Sequence, residues 1–339
     1  MTIISNLKKF ALVAALVIGV ASCSDDDDGN INSGGGDSDI TIVANAQANS
    51  DLSILVQALE RAELVDLLDG DTEYTVLAPD NEAFQSLLDS NNNWDSLEDI
   101  PVDDLKKILQ YHVIGTPLTV AELSASGNAY TTTAAQYEGS ADKFLSLYYN
   151  TDSGVVFNGA SKVTTRDIEA SNGVIHIIDE VLTIPTVATF VGADPTFSTL
   201  LSALTTLTPN TDLTGVLSAE IGDTGSAAPF TVFAPTNTAF TEFGEDNIPK
   251  DEAVLVGVLQ AHVIAGQNVT SGDLSDGTVT TLNGDVTIDT DKDDDEDENE
   301  LDATVKGSGN EEAIDIIAVD IQTSNGVVHA INGVILPEN

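Results

Sequence analysis

Four histidines are the side chains of this sequence best suited to metal binding or proton transfer near neutral pH. They come in two pairs, His112 with His176 and His262 with His329. His176 and His329 follow valine and isoleucine residues, as in a buried strand, and no HxH or HxxxH spacing offers a metal chelate. A buried neutral imidazole bonded to the backbone is the alternative to a metal ligand or general base, and we favour it for all four.

The only cysteine, Cys23, follows a segment with the features of an export signal. Lys8 and Lys9 precede an apolar run, 10–20, that is too short to span a bilayer as a helix. Small residues then lead into Cys23 in a pattern that resembles a bacterial lipobox. The resemblance implies cleavage before Cys23, its lipidation, and anchorage in a membrane. The alternative is an ordinary secretory signal with an unpaired cysteine.

Residues 23–39 are predicted to form an acidic flexible tether. Ser24 and the four aspartates 25–28 are followed by a stretch rich in Gly, Ser, Asn and Asp, which cannot bury a core. The Ser-Asp run also resembles the export signal of Bacteroidota lipoproteins, which implies an outer-membrane lipoprotein facing the cell exterior. A tether without signal function is the alternative.

A second acidic run lies near the C-terminus. Its acids alternate along the chain and end with Glu at the twelfth position, as in a calcium loop: Asp289, Asp291, Asp293, Asp295 and Glu300. The sixth position is Asp294 rather than glycine, and strands rather than helices are predicted on both sides. A weak calcium site in the second half and a solvated hairpin loop are both kept as interpretations, and no other cofactor is predicted.

Nucleophile and phosphate-binding motifs are missing from the sequence, which has neither GxSxG nor a glycine-rich phosphate loop. Among 56 acidic residues, any pair of carboxylates for glycoside hydrolysis is uninformative. With only 11 basic residues, nucleic acid is excluded as a partner, because phosphate binding needs clustered Lys and Arg. The sequence therefore predicts a protein that is not an enzyme.

The elements that must position these residues occur twice. TVLAPDNEAF at 75–84 returns as TVFAPTNTAF at 231–240, and NGVIH at 172–176 returns as NGVVH at 325–329. Each first block predicts a buried strand ended by proline and followed by a helix N-cap. Each Asn-Gly predicts a tight hairpin, because both residues tolerate positive φ. Helices followed by strands indicate an α+β unit that is repeated once.

An apolar stripe at helical spacing opens each unit. In the first unit it comprises Leu52, Leu55, Val56 and Leu59. It predicts one helix that continues through Leu68 and stops at Gly70.

These blocks resemble the fasciclin domain family. The resemblance covers nearly all of the chain after residue 40. It implies two tandem domains, 40–185 and 186–339, preceded by a signal peptide at 1–22 and the tether. Each domain is expected to be a wedge-shaped β-sandwich of about seven strands flanked by helices.

The resemblance also implies a role in adhesion or extracellular interaction. In animal members of the family, integrin binding is linked to a Tyr-His pair, and an Asp-Ile pair is also implicated in the family. The matching residues are expected to form an adhesion surface: Tyr111, His112, Asp167, Ile168, Asp320 and Ile321. The second unit departs from the pattern, because Ala261 precedes His262.

We thus predict a lipid-anchored, non-catalytic cell-surface protein that binds an extracellular protein or polysaccharide. The alternative is a carbohydrate-binding accessory lipoprotein of a glycan-uptake system. That role needs exposed aromatic side chains, for which five are candidates: Trp94, Tyr130, Tyr137, Tyr148 and Tyr149.

Overall fold

The computed structural model describes residues 40–290 and 303–338. The signal peptide, Cys23 and the tether lie outside the described residues, as do four of the five predicted calcium ligands, Asp291, Asp293, Asp295 and Glu300.

The first domain begins with helices, places two strands among them, and ends with strands. Its described helices are α1 (Ile42–Ala48), α2 (Ser53–Arg61), α3 (Val65–Leu68), α4 (Asn81–Ser90), α5 (Val102–Tyr111) and α6 (Val120–Ser126). Its strands are β1 (Tyr74–Pro79), β2 (Val113–Ile114), β3 (Ala129–Gln136), β4 (Phe144–Asn150), β5 (Val156–Phe157), β6 (Ser161–Ala170) and β7 (Gly173–Ile178).

The second domain repeats this order. Its described helices are α7 (Val187–Ala193), α8 (Ser198–Thr205), α9 (Leu213–Ser218), α10 (Asn237–Phe243) and α11 (Glu252–Gln260). Its strands are β8 (Phe230–Pro235), β9 (Val263–Ala265), β10 (Gly277–Thr280), β11 (Asp285–Asp289), β12 (Thr304–Gly307), β13 (Ile314–Thr323) and β14 (Gly326–Ile331). A 3-10 turn at Ser271–Asp273 stands at the position of α6.

Each domain is built on seven described strands, as predicted, and the α+β class is confirmed. In domain 1 the strands close into a barrel in the order β1 to β7, with β1 parallel to β7. In domain 2 the sheet runs β10-β11-β12-β13-β14-β8-β9, and β9 and β10 remain at its edges. The strand carrying the second motif, β7 or β14, is paired with a strand on each side, which agrees with its apolar residues on both faces.

The N-caps after the first motif are confirmed. The Asp80 carboxylate accepts the Ala83 N–H at 2.8 Å, and the Thr236 hydroxyl accepts the Ala239 N–H at 3.2 Å. These caps satisfy donors at the first turn of α4 and α10, which bury Phe84 and Phe240 in the two cores. The sharp strand-to-helix turn is thus built from the residues the motif supplies.

The single helix expected from Leu52 to Leu68 is wrong. Helix α2 ends at Arg61, Glu63 takes a positive φ of 55°, and the short helix α3 follows. The apolar stripe remains buried through both pieces, with Leu59 and Leu68 in the same core. The bend at Glu63 therefore lets the apolar residues of both α2 and α3 pack in one core.

Within the described residues, no single helix is long and apolar enough to cross a membrane. Helix α7 and the helical stretch 195–205 meet those criteria only together, as a pair bent by 94°.

Candidate functional site

Tyr111 and His112, expected on an adhesion surface, lie inside domain 1. They are 0% and 2% exposed. The Tyr111 hydroxyl donates to the Ser146 carbonyl at 2.8 Å and accepts from the Asn158 side chain at 2.9 Å. The surface assignment is therefore wrong for this pair, because both side chains satisfy buried polar groups at the end of α5.

His112 and His262 hold the same position in the two domains. Each Nδ1 lies 2.8 Å from the carbonyl oxygen four residues earlier, at Ile108 or Val258. Each Nε2 accepts a backbone N–H at 2.9 Å, from Leu182 or Ile335. Since a carbonyl can only accept and an N–H can only donate, both rings are neutral with the proton on Nδ1. Each ring therefore links the last turn of a helix, α5 or α11, to the segment that follows the last strand of the domain, β7 or β14.

His176 and His329 are neutral with the opposite tautomer. Each Nδ1 accepts a backbone N–H, from Asp167 at 3.1 Å or Asp320 at 3.4 Å. Each Nε2 donates to a carbonyl at 2.8 Å, that of Leu118 or Val269. All four histidines are thus buried and bonded to the backbone, as predicted.

Burial sets the pKa values of the histidines. It lowers the pKa of His112 and of His262 to about 4. Burial also lowers the pKa of His176 and His329, although the carboxylates of Asp167 and Asp320 act in the opposite direction. The Asp167 carboxylate lies 3.9 Å from His176 Nδ1, but no ion pair forms there because that nitrogen accepts a hydrogen bond.

The Asp-Ile pairs lie at bulges in β6 and β13, where Asp167 and Asp320 take positive φ values of 56° and 62°. The Asp167 carboxylate accepts the Val120 N–H at 2.8 Å and so caps α6. The Asp320 carboxylate accepts the Ser271 N–H at 2.7 Å, at the start of the 3-10 turn. The aspartates therefore have a structural role in joining a bulge to a helical turn, and they remain the accessible members of the predicted set.

The two Asp-Ile pairs differ in their surroundings. Ile168 is half-buried on domain 1, whereas Ile321 is 3% exposed and belongs to a core cluster that includes Tyr148 of domain 1. The Asp320 end of domain 2 thus lies against the other domain. Only the domain 1 pair stands on a surface away from this contact.

Sequence reasoning missed the role of Asn172 and Asn325. Asn172 is 4% exposed, accepts the Ile42 N–H at 2.9 Å, and donates to the carbonyls of Leu68 and Gly70. Asn325 makes the same three bonds, to Val187, Leu217 and Ala219. The repeated NG signal marks these two positions, but turn conformation alone does not indicate the long-range role of the asparagine side chains.

A comparison of sequence profiles bears on both halves of the chain. The profile of the Fasciclin domain matches residues 50–185 and 195–337.

The chain belongs to the fasciclin domain family.

Several proteins resemble this fasciclin-domain chain in sequence. Protein sll1483 of Synechocystis is 36% identical over 157 residues, which are 44% of this chain and 76% of that protein. Transforming growth factor-beta-induced protein ig-h3 of Sus scrofa is 25% identical over 80% of this chain, which spans only 36% of that protein. Immunogenic protein MPB70 of Mycobacterium bovis is 31% identical over 40% of this chain and 63% of its own length.

A solved structure of a FAS1 domain pair from the insect cell adhesion molecule Fasciclin I is similar to this chain. It has a TM-score of 0.49 and 20% identity, and the match covers 84% of this chain and 97% of that one.

The aromatic residues expected to be available for carbohydrate stacking are covered in these fasciclin domains. Tyr137, Tyr148 and Tyr149 are buried. Trp94 and Tyr130 are half-buried and pack against the cores. These five side chains therefore do not form an exposed stacking platform.

Within residues 40–290 and 303–338, no group of three or more His, Cys, Asp or Glu side chains is placed to hold a metal ion. Asp289 is the one predicted calcium ligand in this part of the chain, and it is exposed at the end of β11.

Proposed function

We propose that this chain is a lipid-anchored, non-catalytic protein of the cell surface that mediates adhesion or another extracellular interaction. The proposal is carried by one observation: the chain matches the fasciclin domain over both of its halves. The absence of catalysis in this proposal is supported by the four histidines, whose ring nitrogens all bond to the backbone. The histidines of the motifs therefore stabilise the fold, and in this proposal the partner binds to exposed residues.

The anchor in this proposal is Cys23 at the outer membrane, with the tether carrying the domain pair outward. A Cys23→Ala variant tests it. We expect the variant to leave the membrane fraction and the wild type to be accessible to protease on intact cells. Retention of the variant in the membrane would contradict the anchor, and protection of the wild type from protease would contradict the outward orientation.

The recognition surface in this proposal includes Asp167 and Ile168 rather than the domain 2 pair, because Ile321 is covered. The test is binding of residues 40–339 to an array of matrix proteins and glycans. We expect Asp167→Asn, which keeps an oxygen to cap α6, to weaken binding at least tenfold. The matched variant Asp320→Asn should bind like the wild type, and equal losses in both variants would contradict this assignment.

The same array, read with and without millimolar calcium, tests the acidic segment from Asp289 to Glu300. A calcium-dependent signal lost on neutralising these acids would support a calcium site in domain 2. A signal confined to glycans would favour the carbohydrate-binding accessory role over protein adhesion.

A further inference from the structure

The two domains meet along strands β4 and β13. A comparison of each strand with its counterpart in the other domain shows how this contact is built. Strands β6 and β13 have the same bulged register, with Asp167 and Asp320 at the same position. The residues just before these aspartates can therefore be compared directly.

Strand β13 is apolar where β6 is polar. The three residues before each aspartate are Thr164, Thr165 and Arg166 in domain 1, and Ile317, Ala318 and Val319 in domain 2. The domain 1 side chains are exposed, and those of domain 2 are half-buried. Ile317 and Ala318 pack against the buried cluster that contains Tyr148 of domain 1, whereas Val319 packs against a cluster formed by domain 2 alone.

The opposite side of the contact shows the same difference. Tyr130 lies opposite Tyr148 on β3 and β4, and Thr278 lies opposite Thr287 on β10 and β11. In each domain the residue that follows the second member of the pair has a partner on the next strand. Tyr149 pairs with Phe157, and Ile288 pairs with Val305. The tyrosines of domain 1 are therefore replaced in domain 2 by exposed threonines.

These tyrosines complete the core of domain 2. Tyr148 is 1% exposed and belongs to the same buried cluster as Val187 and Phe190. The Tyr130 ring lies 5.1 Å from that of Tyr148 and packs edge-on against Phe190 at 5.3 Å. In the other direction, Ile221 of domain 2 packs against the domain 1 core.

Hydrogen bonds also cross the boundary. The Ser146 hydroxyl accepts the Gln322 N–H at 3.0 Å. The Tyr130 hydroxyl donates to the Asp194 carboxylate at 3.0 Å, and burial raises the pKa of Asp194. Separation of the domains would expose apolar side chains and leave these bonds to be replaced by water.

We infer that the two domains form one cooperative folding unit, joined by a permanent interface. Domain 1 has only one of the two surfaces of this interface, and domain 2 has only the other. Domain 2 takes part of its core from domain 1, so neither domain keeps its stability when the other unfolds. The counterparts of the two interface surfaces are polar and exposed, so they do not provide a second interface of this kind.

Trp94, the only tryptophan, reports on domain 1 from a half-buried position beside its core. The first test uses Phe240→Ala, a core variant on the α10 side of domain 2. In urea unfolding of residues 40–339, we expect the Trp94 fluorescence midpoint to fall together with the midpoint measured for domain 2 by hydrogen exchange. An unchanged Trp94 midpoint beside an early domain 2 transition would overturn the inference.

The second test breaks the interface itself. Tyr148→Ala should split the single transition in two, with α7 and β13 losing exchange protection at lower urea than the Trp94 site. Thr287→Ala, at the matching exposed position, should leave one unchanged transition. A single wild-type-like transition in Tyr148→Ala would contradict the inference. If that variant does not fold, the Phe240→Ala result decides alone.

Discussion

The Tyr-His pair of domain 1 owes its residue types to backbone groups that would otherwise be buried without partners. Tyr111 serves the Ser146 carbonyl, and His112 serves one carbonyl and one N–H at once. A neutral imidazole suits the latter task because it carries a donor and an acceptor on opposite sides of a rigid ring. In the second domain a buried alanine, Ala261, stands at the position of the tyrosine.

Tyr111→Phe separates the structural role from the surface role. The change removes the hydroxyl bonded to Ser146 and Asn158, and it should lower the free energy of unfolding by about 1–2 kcal/mol. Urea unfolding measures this loss. Binding by the folded fraction should be unchanged, and weaker binding at wild-type stability would instead support a surface role for Tyr111.

The lowered pKa of His112 and of His262 predicts that the protein loses stability in acid. The pKa of each is about 4 in the folded protein and 6.5 in the unfolded chain, so the unfolded state binds more protons between these values. Stability is therefore full above pH 6.5 and is lost as pH falls towards 4, by up to about 3 kcal/mol per histidine.

His112→Gln tests this sign, because glutamine can supply a donor and an acceptor without titrating. Between pH 6.5 and 4.5, the free energy of unfolding should fall less steeply in the variant than in the wild type. Carboxylates titrate in both proteins, so the difference between the two slopes reports on His112. Identical slopes would show that His112 does not titrate with the assigned pKa.

At the scale of elements, Asn172 and Asn325 join three segments that are far apart in sequence. Each amide links the first helix of its domain, the end of a later helix, and the hairpin before the central strand. The glycine that follows is also required, because a Cβ at Gly173 or Gly326 would overlap the backbone of Tyr74 or Phe230 on the parallel neighbouring strand.

Asn172→Ala should destabilise the protein by about 2–4 kcal/mol, because one N–H and two carbonyls lose their buried partner. Asn92→Ala, at an exposed position, provides the matched control and should change stability by less than about 0.5 kcal/mol. Thermal unfolding of both variants checks the prediction. Similar values for the two would rule out the three-segment link as a source of stability.

The sequence was a good guide to elements whose signals are local. The caps at Asp80 and Thr236, the hairpins at the Asn-Gly positions and the buried histidines depend on neighbouring residues, and all are confirmed. The positive φ expected at Asn-Gly is confirmed for Gly173 and Gly326 but is wrong for the asparagines. Asn172 instead acts through its side chain, in contacts more than a hundred residues away.

Features set by tertiary contacts could not be predicted. The bend at Glu63 depends on the core beneath α2 and α3, and the apolar stripe does not encode it. The burial of Tyr111 depends on Ser146 and Asn158, which lie on other parts of the domain. The aromatic residues of β3 and β4 appeared available because the sequence alone does not show that a second domain covers them.

At the scale of the whole molecule, repulsion among the negative charges destabilises the folded state. The formal net charge is −45, and cations are few. Self-repulsion of this kind destabilises the folded state and is screened by salt. Raising sodium chloride from about 0.02 to 0.5 M should therefore raise the melting temperature by several degrees. Calorimetry measures this shift, and a melting temperature that falls with salt would indicate that attractive ion pairs dominate.

Exposed threonines stand where each domain could have repeated the interface of the other, at Thr164 and Thr165 in domain 1 and at Thr278 and Thr287 in domain 2. The interface joins two unlike surfaces, and both domains have the strands that could form either one. If Thr278 and Thr287 were replaced by tyrosine, and residues 164–166 by apolar residues, domain 2 of one chain could bind domain 1 of the next. A head-to-tail contact that does not close on itself grows into a fibre. Because the apolar residues are confined to one junction, we expect no such growth through these strands.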